Sequence, residues 1–295
     1  MWTVVLLTSL GGIVTDLELV TQTGDLDRLL SVHPSGAHRS RLRDAVLLHN
    51  VLGSFLHMPL QPGGGLLQPD AVAHEIDRVD ASRVLELGYG KGFNTLRLAS
   101  SHPAVKFVAV DDGVDAVVEA SKRARRRGLR NVAFKSANVT TLDCATTFDV
   151  VFSIESLRFT DPATLFEVVR RCLRPGGALV LIDAFTADGV AEAAGEARTA
   201  LRLVESGLRT RAMPSVSHWR TSAQHHGFAL RREWDWTSRA LPFWDAGAVG
   251  ARKAMAVYRW LPAAVQGHVV ASVMAPHALR GGAVRYGGVV LHREL

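Results

Sequence analysis

Between Arg83 and Thr186 the sequence alternates short apolar runs with longer segments of helical periodicity, an alternation that few folds accommodate. The apolar runs read RVLEL, KFVAV, VAFKS, FDVVFS and ALVLIDAF. Strands separated by helices of this length pair in parallel through right-handed crossovers. The runs are nearly continuous in their apolar character, which is typical of a sheet covered on both faces. We therefore predict an α/β fold whose core is a doubly wound, mostly parallel sheet.

Two further strands are predicted after this core, FALRREW at 228–234 and AVRYGGVVLH at 283–292. The connection between them carries helical patterns around 240–260 and 263–279. A connection of this length inside a compact sheet is typical of a structured lid, which we place at about 237–282.

The part of the chain before the first strand carries helical signals. Apolar residues recur at steps of three and four over 39–56, which predicts a helix with one buried face, and a second helix is predicted over about 70–79. We therefore divide the chain into an N-terminal helical extension, residues 1–81, and a core with its lid insertion, residues 82–295.

Composition excludes some classes of protein. A content of 47% hydrophobic and 21% charged residues excludes a disordered chain, and a formal net charge of +6 permits a nucleic-acid partner without requiring one. The apolar opening MWTVVLLTSLGGIV lacks a basic flank and is too short to span a bilayer, so no transmembrane segment is predicted.

The two cysteines, Cys144 and Cys172, lie in unlike surroundings without metal-ligand spacing, so we expect neither a disulfide nor a zinc site. We therefore expect the protein to reside in a reducing cytoplasm.

The segment VLELGYGKGFNT is the most informative about function. Gly88, Gly90 and Gly92 follow the first strand, and a helix is expected to start at Phe93 or the next residue. Such a loop lets the backbone approach a nucleotide-like ligand at a helix N-terminus. The pattern is GxGxG, and Phe93 stands where the dinucleotide fingerprint needs its third glycine. Glu86 would repel a pyrophosphate and attract a cationic ligand, a combination that favours S-adenosylmethionine.

Later positions agree with an adenosine-containing ligand. Asp111 ends the second strand, where a carboxylate accepts hydrogen bonds from ribose hydroxyls. The amide oxygen of Asn138 is placed to accept from the adenine amino group, and Val139 offers apolar surface to the ring. Tyr89, inside the glycine loop, contacts either the methionine end of the cofactor or the substrate, or it caps the loop.

The order of ELGYGKG, VAVDD, SANV, FDVVFSIESL and LRPGGALVLIDAF resembles the class I S-adenosylmethionine-dependent methyltransferases, most closely the small-molecule and sterol-type branch. The resemblance implies a Rossmann-like seven-stranded sheet with an antiparallel last strand, and S-adenosylhomocysteine as product. The family usually has Asp at the position of Asn138; Asn preserves an acceptor. The expected cofactor-binding residues are Glu86, Gly88, Tyr89, Gly90, Gly92, Asn94, Asp111, Asp112, Asn138, Val139 and Ser153.

Methyl transfer by in-line displacement needs no covalent enzyme nucleophile, but the acceptor must lose a proton. Glu155, just past the fourth strand, is the first candidate base; it could instead hold backbone amides or an arginine such as Arg158. His57 is the second candidate, or else a packing residue. Sterol-type relatives often carry His where this chain has Phe159. Asp183 is not followed by the Asp-Asn pair of a metal-assisted enzyme, so no metal is predicted.

Aromatic residues crowd the proposed lid and its flanks, which favours a small, apolar, lipid-, terpenoid- or natural-product-like acceptor, with a homodimer possible. An RNA or DNA methyltransferase on the same fold is the main competing hypothesis, although Ser153–Ser156 replaces the motif typical of base-amine methylation. The basic run KRARRRGLR is typical of a solvated helix end, and no nucleic-acid partner is predicted from it. The sequence is also compatible with a non-catalytic S-adenosylmethionine-binding protein and, less well, with a nicotinamide oxidoreductase.

Overall fold

The computed structural model describes residues 67–156, 160–190, 195–210 and 213–295. Its contacts divide the chain into two compact units. We call the first the sheet unit; it consists of Gly65–Phe185, Pro214–Trp236 and Tyr286–Leu295. We call the second the helical unit, and its described part comes from Thr186–Met213 and Thr237–Arg285. The helix predicted over 39–56 lies outside the described residues.

The sheet has seven strands in the order β3-β2-β1-β4-β5-β7-β6. They are β1 (Arg83–Leu87), β2 (Lys106–Asp111), β3 (Val132–Ser136), β4 (Phe148–Ile154), β5 (Leu173–Thr186), β6 (Phe228–Asp235) and β7 (Val284–Arg293). Strands β1 to β5 pair in parallel, and β6 and β7 are antiparallel to each other. The predicted Rossmann-like sheet with an antiparallel last strand is therefore confirmed.

The described helices alternate with these strands as the sequence pattern indicates. They are α1 (Leu67–Arg78), α2 (Phe93–Ser101), α3 (Val114–Arg126), α4 (Pro162–Cys172), α5 (Gly195–Leu208), α6 (Val216–His225), α7 (Thr237–Ala254) and α8 (Ala263–Arg280), with 3₁₀ helices at Val139–Thr141 and Met255–Trp260. Helix α1 is already formed at Leu67, the first described residue, three residues before its predicted start. Helix α4 begins where it does because the Asp161 side chain accepts the Thr164 N–H at 3.1 Å.

The core of the sheet unit explains why its central strands are apolar throughout. Strand β4 is buried at nearly every position, and the fully buried Val151 packs in one cluster with Leu179 of β5, Phe166 of α4 and Trp219 of α6. Both faces of a parallel sheet exclude water, so neither face selects polar residues. Trp219 is therefore a core residue of the sheet unit, although its place in the sequence suggested an aromatic residue near a lid.

The helical unit contains the segment that was predicted as a lid. Its helices α5 and α8 cross at Gly207 and Gly267, where a Cβ on either glycine would collide with the carbonyl oxygen of the other. Helices α7 and α8 are joined by an ion pair between Arg280 Nη2 and Asp245 Oδ1 at 2.6 Å. Residues 186–213 also belong to this unit, which their sequence pattern did not predict. Across the described residues, no helix is long and apolar enough to cross a membrane.

The two cysteines form a disulfide, so the expectation that they would not was wrong. Cys172 ends α4, and Cys144 lies between the 3₁₀ helix at Val139–Thr141 and β4. Their Cα atoms are 5.2 Å apart although 28 positions separate them in sequence. The pairing depends on how α4 packs, which local spacing does not reveal. The cysteines consequently no longer support the expectation of a reducing compartment.

Candidate active site

The loop between β1 and α2 holds three glycines in the left-handed region, with φ of 76° at Gly88, 51° at Gly90 and 74° at Gly92. A side chain at Gly88 would overlap the Ser156 hydroxyl, and a Cβ at Gly92 would lie 2.8 Å from the Phe134 ring. At Gly90 no described atom lies within 4 Å of a Cβ position. The outer glycines are thus required by packing as well as by φ, and the middle one leaves an open backbone face that a ligand can approach.

Asp111 ties this loop to the end of β2. Its Oδ2 accepts the Gly90 N–H at 2.8 Å, and its Oδ1 accepts the Gly113 N–H at 3.1 Å. A carboxylate has about four acceptor positions, so both oxygens retain capacity for ligand hydroxyls. Asp112, the next residue, is exposed. The structure therefore brings the predicted ribose-binding carboxylate and the glycine loop together through a direct hydrogen bond.

Glu86 does not lie at the loop surface. Only a carboxylate at that surface would interact directly with a charged ligand. Its side chain is 1% exposed and accepts a hydrogen bond from the Thr95 hydroxyl in the first turn of α2. Burial raises the pKa of Glu86 to about 8, although hydrogen bonds from Thr95 and Asn94 act in the opposite direction. At neutral pH the carboxyl therefore mostly keeps its proton. This corrects the expectation drawn from the sequence, because a buried neutral acid does not repel a pyrophosphate as an exposed carboxylate would.

Tyr89 and Asn138 are engaged within the protein. Tyr89 is 4% exposed, its ring lies 4.9 Å from that of Phe134, and its hydroxyl has no hydrogen-bond partner among the described residues. Asn138 Oδ1 accepts from the backbone N–H of Thr140 at 2.9 Å and from its hydroxyl at 2.8 Å. Those two bonds use both lone pairs of the oxygen. The predicted contact with the adenine amino group therefore requires that one of the bonds to Thr140 is broken. Val139 packs half-buried against the core.

Ser153 supports the glycine loop through a hydrogen bond to the end of β1. It is fully buried, and its hydroxyl donates to the Leu87 carbonyl at 2.8 Å. Ser156 Oγ lies 2.7 Å from Ser153 Oγ and 3.0 Å from the same carbonyl. The pair fixes the end of β1 just where the glycine loop begins. Ser153 therefore contacts the end of β1 through Leu87, and its role in cofactor binding stays a prediction.

Glu155 adopts a left-handed backbone conformation, with φ of 57°, which is rare for a residue other than glycine and is concentrated at functional sites. Its N–H donates to the Ile182 carbonyl at 2.8 Å. Its Oε1 accepts the Tyr286 hydroxyl at 2.7 Å and the Gln68 side-chain amide at 3.3 Å. The amide also donates to the Tyr286 hydroxyl oxygen at 2.6 Å. The three side chains form a closed triangle of hydrogen bonds.

The donors in this triangle are deeply buried. Gln68 is 0% exposed and Tyr286 is 1% exposed. Burial, and then the neighbouring Glu155 carboxylate, raise the pKa of Tyr286 well above that of free tyrosine, so the phenol stays a donor. Asp183, buried in β5, contributes to the same shift.

Sequence reasoning missed Gln68 and Tyr286. Tyr286 lies 131 positions from Glu155, and no motif joins them. His57 lies outside the described residues. Within the described ranges, no group of three His, Cys, Asp or Glu side chains has the arrangement of a metal site.

These features share one edge of the sheet. Strands β1, β2 and β4 are parallel, so the loop after β1, Asp111 at the end of β2 and Glu155 after β4 all lie at their carboxyl ends, where open α/β sheets bind ligands. Ser156, the neighbour of Glu155, contacts the Leu87 carbonyl and faces Gly88. The triangle is therefore joined to the glycine loop through two adjacent residues.

A family model described as a methyltransferase domain matches residues 78–227, half of the chain. The chain belongs to this methyltransferase family. A trans-aconitate 2-methyltransferase from Azoarcus sp. (strain BH72) is 31% identical over 103 residues, covering 35% of this chain and 39% of that protein. A tRNA (guanine-N(7)-)-methyltransferase from Leifsonia xyli subsp. xyli (strain CTCB07) is 33% identical over 133 residues, covering 43% and 55%. The chain thus spans about two fifths to just over half of these relatives.

Solved methyltransferase structures share the fold over more of the chain. A protein described as a sarcosine dimethylglycine methyltransferase from Galdieria sulphuraria has a TM-score of 0.71 at 15% identity, covering 85% of this chain and 98% of that one. A geranyl diphosphate C-methyltransferase from Streptomyces coelicolor A3(2), solved with S-adenosylhomocysteine, has a TM-score of 0.59 at 16% identity, covering 76% and 80%. Both names describe enzymes that act on small molecules.

The described residues fit S-adenosylmethionine, the cofactor predicted from the sequence. Gly90 presents an open backbone face, and the Asp111 carboxylate beside it retains acceptor capacity. When bound, S-adenosylmethionine supplies an electrophilic methyl group that passes to a nucleophile by direct displacement.

Proposed function

We propose that this methyltransferase transfers the methyl group to a small organic acceptor with a proton-bearing nucleophilic group, and that Glu155 takes the proton. The observation that carries the proposal is the Glu155 carboxylate, held in a left-handed conformation by Tyr286 and Gln68 at the carboxyl edge of the sheet. A candidate base needs a fixed orientation within reach of the proton that it removes. The link through Ser156 to Gly88 supports its position beside the cofactor loop.

The proposed cofactor contacts divide into direct and indirect ones. The open face at Gly90, the Asp111 carboxylate, the exposed Asp112, and the turn that begins at Asn138 are accessible to a ligand. Glu86 and Ser153 are buried, so we propose that they act by fixing the loop and the first turn of α2. The remaining predicted cofactor contacts lie close in sequence to the residues just named. They are Gly88, Tyr89, Gly92, Asn94 and Val139.

An apolar body on the acceptor is supported by an indole pair. Trp234 and Trp236 stack with ring centroids 5.5 Å apart and an interplanar angle of 19°. The backbone N–H of Trp236 donates to the Tyr286 carbonyl oxygen at 2.7 Å, so the pair lies at the end of β6, beside the strand that carries the Tyr286 hydroxyl. Trp236 is only 8% exposed, so the accessible aromatic surface is mainly that of Trp234, and such surface packs well against ring-containing or terpenoid groups.

The contacts made by arginines of the KRARRRGLR run also favour a small acceptor over a nucleic acid. Arg123 is committed within the protein, because it pairs with Glu119 at 3.1 Å and donates to the Lys91 carbonyl at 3.1 Å. Arg125 and Arg126 lie in the last turn of α3, where cations stabilise the helix dipole.

The test is formation of S-adenosylhomocysteine from S-adenosylmethionine with a panel of phenols, isoprenoids, amines and carboxylic acids, run beside bulk tRNA. We expect turnover with members of the small-molecule panel, and Glu155→Gln to lower kcat by about 10²- to 10⁴-fold, as loss of a general base does. Glu196→Gln, at an exposed position of α5, is the matched control and keeps full turnover. Turnover with tRNA alone, or full activity of Glu155→Gln, contradicts the proposal.

A further inference from the structure

The hydrogen bonds around Glu155 are directed toward its carboxylate. The Gln68 amide nitrogen donates to the Tyr286 hydroxyl oxygen at 2.6 Å. The Tyr286 hydroxyl in turn donates to Glu155 Oε1 at 2.7 Å. The chain of donors therefore ends on the carboxylate and presents it with one oxygen fixed.

Both donors come from elements far from β4 in sequence. Gln68 lies in the first turn of α1, and Tyr286 lies near the start of β7. Both side chains are at most 1% exposed, so water does not compete for these bonds. A left-handed glutamate next to the glycine loop costs backbone free energy, and such strain persists where the surroundings hold it in place.

We propose that Tyr286 and Gln68 are positioning residues that aim the Glu155 carboxylate at the cationic end of S-adenosylmethionine, so that they raise the affinity for this sulfonium relative to the affinity for the thioether product S-adenosylhomocysteine. This inference rests on the proposed function, which places Glu155 beside the transferred methyl group. A fixed negative charge attracts a sulfonium and not a thioether. Its contribution is therefore measured as a change in the ratio of the affinity for S-adenosylmethionine to the affinity for S-adenosylhomocysteine. Asp183, buried on β5, is the other acidic group that acts on Tyr286.

The experiment is calorimetric titration of the full-length protein with S-adenosylmethionine and with S-adenosylhomocysteine, in the absence of acceptor. We expect Glu155→Gln to lower the preference for S-adenosylmethionine by about tenfold, and Tyr286→Phe and Gln68→Met by about three- to tenfold, as loss of an oriented charge-assisted contact does. Tyr258→Phe is the matched control, because Tyr258 is a buried tyrosine, 3% exposed, in the helical unit.

A double variant separates positioning from general damage. In the Glu155→Gln background, Tyr286→Phe is expected to leave the ratio unchanged, since the charge that it orients is gone. Equal weakening of both ligands by Tyr286→Phe, or an unchanged ratio in both Tyr286→Phe and Gln68→Met, overturns the inference. If one variant fails to fold by circular dichroism, the other decides the question.

Binding and turnover separate this inference from the proposed function. An altered affinity ratio in Glu155→Gln with full turnover of small acceptors supports positioning and rejects the base. Lost turnover with an unchanged ratio supports the base and rejects positioning.

Discussion

Replacing Glu86 by Gln removes an ionisable group that the fold holds in an unfavourable setting for its charge. The carboxyl is 1% exposed in β1, and burial raises its pKa from 4.5 to about 8. Glutamine keeps the size and an oxygen acceptor for the Thr95 hydroxyl. The substitution therefore tests the titration of one group with little change in packing.

The sign and size of the effect follow from proton linkage. Below pH 4.5 the folded and unfolded chains are both protonated at this position, and above it the unfolded chain loses its proton first. The contribution of Glu86 to the stability of the wild type therefore falls as pH rises from 4.5 and levels off above about 8. The loss from Glu86 alone is about 3 kcal/mol at pH 7 and about 5 kcal/mol above pH 8.

The assay is urea unfolding of the wild type and Glu86→Gln at half-unit steps from pH 4.5 to 8.5. We expect the difference in unfolding free energy, variant minus wild type, to grow in favour of the variant by about 3 kcal/mol between pH 4.5 and 7. Glu196→Gln, at an exposed site, is the control and should show a constant difference. A difference for Glu86→Gln that does not change with pH would refute the reasoning.

Two further predictions concern the cofactor and the disulfide. Asp111→Ala should weaken cofactor binding by about 1–3 kcal/mol in calorimetry, whereas Asp115→Ala, at an exposed position of α3, should not; equal weakening by both rejects the assignment. Reducing the Cys144–Cys172 disulfide, which closes a 28-residue separation, should lower the unfolding free energy by about 3–4 kcal/mol, and the Cys144→Ser/Cys172→Ala protein should not respond to dithiothreitol; alkylation of both cysteines without reductant would show that they are not linked.

The fold was predictable because its signal is repeated. Four of the five parallel strands are followed by an α-helix, and β3 is followed by a short 3₁₀ helix, so an error of a few residues in any one element leaves the topology unchanged. The prediction that β6 and β7 pair also needed the resemblance to the methyltransferase family, because two strands separated by a long helical segment fit several arrangements.

The candidate site was predictable where it is local in sequence. The glycine loop and Asp111 follow consecutive strands, so the parallel sheet alone brings them together. The burial of Glu86 was also open to prediction, because it lies between Leu85 and Leu87 in a strand covered on both faces. The Tyr286 contact to Glu155 depends on the antiparallel strand and carries no local signal.

The order in which the chain is made has a consequence for the Glu155 triangle. Gln68 precedes the glycine loop, whereas Tyr286 belongs to the last strand. The glycine loop is therefore synthesised before the residue that completes the triangle. Truncation ahead of residue 284 would remove the whole of β7, which lies between β5 and β6 in the sheet, so the contact to Glu155 cannot be lost by carboxy-terminal trimming without the loss of a buried strand.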